Sequence, residues 1–127
     1  MDTTGDKPKA VLREIWAVRV QMVGDVYVMD LESKQMCAGE SPLTLKKYHY
    51  GAMGLRTPMA WNAPDGNFLT SDGKTRANGN HTRPNWVDSF GPVGDEEVKQ
   101  EIAGITVMQH PSNFRYPQPV RLPPKFS

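Results

Sequence analysis

From Val18 to Met22 apolar and polar side chains alternate: Trp16, Val18, Val20 and Met22 fall on one side of an extended strand, and Arg19 and Gln21 on the other. A period of two sorts side chains onto opposite faces of an extended strand, whereas a helix would scatter this set around its axis. Gly24-Asp25 then supplies a turn, and "VYVMDL" continues the β-forming pattern. The opening of the chain is therefore expected to be a β-hairpin.

The rest of the sequence breaks into short pieces of the same kind. Gly and Pro number 11 each, which works against long helices. "SPLTLKKYHY" reads as a third strand, Leu43 and Leu45 alternating with Thr44 and Lys46. "NFLTS", "NWVDSFG" and "AGITVMQH" read as later strands, with Asp65-Gly66 and Asp72-Gly73 as turns. "GDEEVKQEIAG" reads as a loop or one short helical turn, with the flanks of a long hairpin as the alternative. Five prolines after His110 predict an extended surface tail. Many short strands and turns in 127 residues point to one all-β domain, an antiparallel β-sandwich over residues 11–127, behind a flexible leader at 1–10.

Charge narrows the partners. Fifteen basic and fourteen acidic residues leave a net charge of +1, too little to hold a nucleic-acid backbone. No apolar run approaches the roughly 20 residues needed to span a bilayer. The start "MDTTGDKPKA" lacks an apolar signal core, so the chain as written reads as soluble and cytoplasmic. A periplasmic or extracellular location stays open if a signal lies upstream. Cys37 stands alone between Met36 and Ala38 and is expected to be a small buried residue.

Three constellations carry candidate chemistry. The first is "KYHYGAMGLR", where His49 is a proton-transfer candidate and Arg56 an oxygen-clamping one, with Gly51 and Gly54 freeing the backbone between them. The second is "RANGNHTRPNWVD", which offers Arg76, Asn80 and Asp88 as hydrogen-bonding groups and Trp86 as a flat apolar face. Trp61 is a second candidate for stacking on a ligand ring. The third is "MQHPSNFRYPQP", which places His110, Asn113 and Arg115 at a strand end. Each has a bland alternative: a strand end with a satisfied histidine, a turn before a core tryptophan, and a Pro-rich exit loop. His49, His81 and His110 have no metal-ligand spacing, and a metal site made from the three is a minority alternative.

"SPLTLKKYHYGAMGLR", "FLTSDGKTRANGN", "WVDSFG" and "GITVMQHPSNFRYPQPVR" occur in that order. In this arrangement the chain resembles a bacterial family of unassigned function labelled "methane oxygenase PmoA". The likeness spans about residues 12–122, with Ala52 where that family has a glycine. Members of that family are longer, so the resemblance implies that this chain corresponds to their C-terminal part, a fragment whose sheet needs missing family segments or another chain for completion. It also implies a galactose-mutarotase-like supersandwich acting on or binding a saccharide. In that reading His49, Arg56 and His110 are catalytic, and Trp61, Arg76, Asn80, Trp86, Asp88, Asn113 and Arg115 bind the sugar. No cofactor is expected, with a bound metal ion as the alternative. A non-catalytic binding or scaffold domain is the first alternative, and a metal-dependent oxygenase, as the label implies, the second.

Overall fold

The computed structural model describes residues 7–46, 53–62, 67–94 and 101–122. Among the described residues five strands, all antiparallel, form two sheets. Strands β1 (Leu12–Val23) and β2 (Val26–Cys37) form one sheet. Strands β3 (Asn67–Thr70), β4 (Trp86–Val93) and β5 (Glu101–Met108) form the other, with β4 in the middle. A single 3₁₀ turn, Met59–Asn62, is the one helical element among the described residues. The all-β antiparallel fold read from the sequence is what the structure has. Residues Met1–Lys47 and Tyr48–Ser127 form two compact units.

The first unit is the expected hairpin, extended by six residues at its far end. Val23 pairs with Val26 next to the turn, and pairing runs unbroken to Leu12 opposite Cys37. Gly24 has a φ of +60° at the first of the two turn residues. Glycine adopts that angle without a Cβ clash, and a positive angle there matches the right-handed twist of the flanking strands. In this register Trp16, Val18, Val20 and Met22 share a face with Leu31, Met29 and Tyr27, all of them exposed. A polar cluster closes that face at its open end. There Glu14 accepts bonds from the Trp16 indole, from Ser33 Oγ at 2.8 Å and from Gln35 Nε2 at 2.6 Å. Three donors favour the ionised carboxylate and hold Glu14 below its ordinary value of 4.5, Gln35 contributing most.

Two expectations for this region fail. Cys37 is exposed, at the very end of β2 in the two-stranded sheet; its Sγ accepts the Leu43 N–H at 3.3 Å. Residues 41–46 are irregular rather than a third strand. The Ala38 N–H closes the ladder on Val11 O, and bends follow. Pro42 has no N–H to give, and the Leu43 N–H goes to sulfur instead of to a neighbouring strand. Alternation predicts which face a side chain would take, but it does not supply a partner.

In the second unit, pairing fixes two faces. Phe68 and Thr70, with Val87, Ser89 and Gly91, lie on the inner one. Thr70 is 1% exposed and Ser89 is buried. Trp61, 4% exposed, packs against Gly91 from the 3₁₀ turn. Its indole N–H donates to Pro92 O at 2.8 Å, so the buried polar edge is satisfied. Trp86, Asp88 and Phe90 lie on the outer face opposite Met108, Thr106 and Gly104. Residues 101–104 are strand, so "EIAG" joins β5. The expected surface tail is also revised. Residues 111–117 form consecutive turns, and Leu122 is buried, with its N–H bonded to Asn80 Oδ1 at 2.8 Å.

Candidate functional site

Two loops of the second unit are bonded into one surface. They precede and follow the β4–β5 pair: residues 79–85 lead into β4, and residues 109–122 leave β5. Gln109 N–H donates to Asn85 O at 2.9 Å, which carries the pairing one step past the last strand residues. Gln109 Nε2 reaches Pro84 O at 3.0 Å, and the Tyr116 hydroxyl donates to Asn85 Oδ1 at 2.6 Å. Farther along, His81 N–H donates to Val120 O at 2.8 Å and Val120 N–H returns to Thr82 O at 3.0 Å. Prolines in both loops remove donors, and the side-chain amides fill the gaps that this leaves.

The tip of the second loop is closed by a pair of glutamines. Gln118 N–H donates to Gln109 Oε1 at 2.9 Å, and Gln109 Nε2 also donates to Gln118 O at 3.1 Å. Gln118 Nε2 reaches Phe114 O at 2.7 Å. Inside this clamp the Asn113 N–H donates to His110 O, and the Tyr116 N–H donates to Asn113 O. Phe114 is 79% exposed, and the Arg115 guanidinium lies over its ring at 5.4 Å. Arg115 holds a φ of +57°, a left-handed conformation that costs a non-glycine residue about 1 kcal/mol or more. Non-glycine residues held this way concentrate at ligand clamps and active sites.

His110 has a defined orientation. Its Nδ1 accepts the Ser112 backbone N–H at 3.1 Å and lies 2.7 Å from Ser112 Oγ. A backbone amide only donates, so Nδ1 carries the lone pair and the neutral ring carries its proton on Nε2. The ring is exposed, and in this tautomer its free edge is a hydrogen-bond donor.

The remaining sequence candidates divide clearly. Arg76 Nη2 donates to Trp61 O at 3.0 Å and its guanidinium lies 4.7 Å over the Phe68 ring. It thereby ties the 3₁₀ turn to the sheet. Trp61 is packed on both its ring and its N–H, and Asn80 fastens the 120–122 segment. These three hold the unit together. Trp86 and Asp88 are half-buried on the outer face, where Asp88 Oδ1 accepts the Thr106 hydroxyl at 3.0 Å across the strand pair. Arg56 is exposed in an irregular segment. His49 and the residues around it, 47–52, lie outside the described residues.

His81 has a φ of +63° in its turn. Among the described residues no three His, Cys, Asp or Glu side chains gather as a metal-binding group. No described helix is long and apolar enough to cross a membrane.

Sequence reasoning missed Gln109, Ser112, Phe114, Tyr116, Gln118 and Asn85. A readable signal was the pair of glutamines flanking a Pro-containing loop, since long amides in such loops commonly replace missing backbone donors. No curated protein and no solved structure matches the chain. A family model described as "Family of unknown function (DUF6807)" matches residues 3–127, and the chain belongs to that family.

Proposed function

We propose that the second unit binds a polar, saccharide-type ligand on the surface formed by residues 109–118. The observation that carries this reading is the exposed Phe114–Arg115 pair on a clamped loop, with the Nε2 edge of His110 four residues before Phe114. An aromatic face takes the apolar side of a sugar ring, and guanidinium, imidazole and amide groups take its hydroxyls. The glutamine clamp supports the same reading. A loop already ordered before binding loses less entropy when the ligand arrives.

Asn113 and Arg115 act here as hydrogen-bonding groups and His110 as a donor. Trp86 and Asp88 follow the same strand end along β4. The resemblance to the "methane oxygenase PmoA" family and to mutarotase-like sandwiches fits a saccharide ligand and adds proton handling by His49 and His110. Its oxygenase alternative predicts iron or copper in the purified protein, which elemental analysis checks.

The test is an NMR titration of the intact chain with a panel of neutral and charged oligosaccharides. Amide shifts confined to residues 109–118, with affinity reduced at least about fivefold by Phe114→Ala, support the proposal, because a stacking contact is worth roughly 1 kcal/mol or more. Shifts located on the first unit, or binding untouched by Phe114→Ala in a folded variant, refute it.

A further inference from the structure

We infer that the ligand of this surface is an acidic saccharide, held by a ring carboxylate between Arg83 and Arg115. The inference rests on the saccharide reading above and adds the charge of the ligand. Residues 79–85 and 109–122 contain Arg83, Arg115 and Arg121 and no Asp or Glu. Arg83 and Arg115 thus lie in two segments that hold none of the chain's fourteen acidic residues. His81 and His110 lie in the same segments.

The fold joins these positions. Arg83 stands between Thr82 and Pro84, whose carbonyls both accept bonds from the 109–122 loop. Arg115 precedes Tyr116, whose hydroxyl is bonded to Asn85, two residues after Arg83. Both arginines are exposed, so the charges stay in water until a ligand arrives. A guanidinium offers a planar fork that matches a carboxylate with two parallel bonds, which a neutral hydroxymethyl group cannot use. Neutral-sugar recognition does not require two exposed arginines on adjoining segments that lack a carboxylate. Nucleic acid would need a wider basic field than this chain carries.

The test compares tri-galacturonate with its methyl ester, which keeps the carbon skeleton and removes the charge, by calorimetric titration at low salt. The acid should bind about tenfold or more tightly than the ester, the worth of one charge-assisted pair. Arg83→Gln and Arg115→Gln should each bring the two affinities to within a few-fold of one another. Arg115→Lys should restore part of the preference, and Arg19→Gln on the hairpin should change nothing. Amide spectra of each variant verify the fold.

Equal affinity for acid and ester overturns this inference and leaves the saccharide reading standing. Binding of neither, with no other sugar bound, overturns both. A preference that survives both glutamine variants removes the assignment to these arginines. A single-stranded oligonucleotide bound as tightly as tri-galacturonate shows a general polyanion surface and also overturns it.

Discussion

Gly91 and Trp61 meet without room for another carbon: a Cβ on Gly91 would stand 2.5 Å from Cδ1 of the indole and 2.7 Å from Cγ. The ring cannot retreat freely, because its N–H is bonded to Pro92 O and the residue is buried. Gly91→Ala should therefore destabilise the second unit by about 1–3 kcal/mol, the usual cost of overpacking a core. Trp61→Phe should cost about 1 kcal/mol or more from the orphaned Pro92 carbonyl and the smaller ring. Urea unfolding measures both, and an unshifted midpoint in Gly91→Ala would mean that the ring has a second resting place.

Asn80 and Leu122 are joined across 42 residues of sequence by one bond from a backbone N–H to a side-chain oxygen. Asn80→Ala leaves that N–H without its acceptor beside a buried leucine. A loss of about 1–3 kcal/mol is expected, together with faster hydrogen exchange at Leu122 and Val120. Exchange that stays slow in the variant would contradict the fastening role.

Glu14 gives a pH dependence with a definite sign. Its folded value lies below the ordinary 4.5 because Gln35, Ser33 and Trp16 donate to the carboxylate. The contribution is thus present above the ordinary value and is lost as the pH falls through the lower folded one. The Trp16 indole proton should shift in NMR spectra over that acid range, with a midpoint below 4.5. Glu14→Gln should abolish the transition, and a midpoint at or above 4.5 would show that the three bonds do not favour the charged form.

His110 should be in the Nε2–H form when neutral, as read from its ring nitrogen shifts. His110→Asn can keep the Ser112 N–H bond through its Oδ1 and so preserve the loop. His110→Ala cannot, and should lose about 0.5–1.5 kcal/mol. A ligand that needs the Nε2 donor would bind weakly to both variants, whereas a purely structural histidine would show a defect only in the alanine protein. An Nδ1–H ring in the native protein would remove the donor assignment.

How far the sequence carried depended on how local each cause was. The β1–β2 hairpin was legible because alternation and a two-residue turn lie within one stretch, and the glycine at the first turn position suits the turn it makes. β4 and β5 were legible for similar reasons. The 41–46 segment was not, since its alternating leucines look the same whether or not a strand lies beside them. In the site, His110 and Arg115 were picked by chemistry, and the structure puts them within one clamped loop. Trp61 and Arg76 were picked by the same chemistry, yet each interacts with the other and with the sheet. Residue type cannot distinguish an arginine that waits for a ligand from one that caps a carbonyl and covers a phenyl ring.

The hairpin's nested pairing also sets an order of assembly. Each rung from Val23–Val26 outward closes a slightly longer loop than the last, so the ribbon can zip within microseconds once Cys37 has been made. The second unit must wait for Leu122, 85 residues later. At a synthesis rate of ~5–20 residues per second that delay is about 4–17 s. From the moment the ribbon forms, Trp16, Val18, Val20, Met29 and Leu31 make a greasy strip on the nascent polypeptide, the kind of surface that chaperones hold.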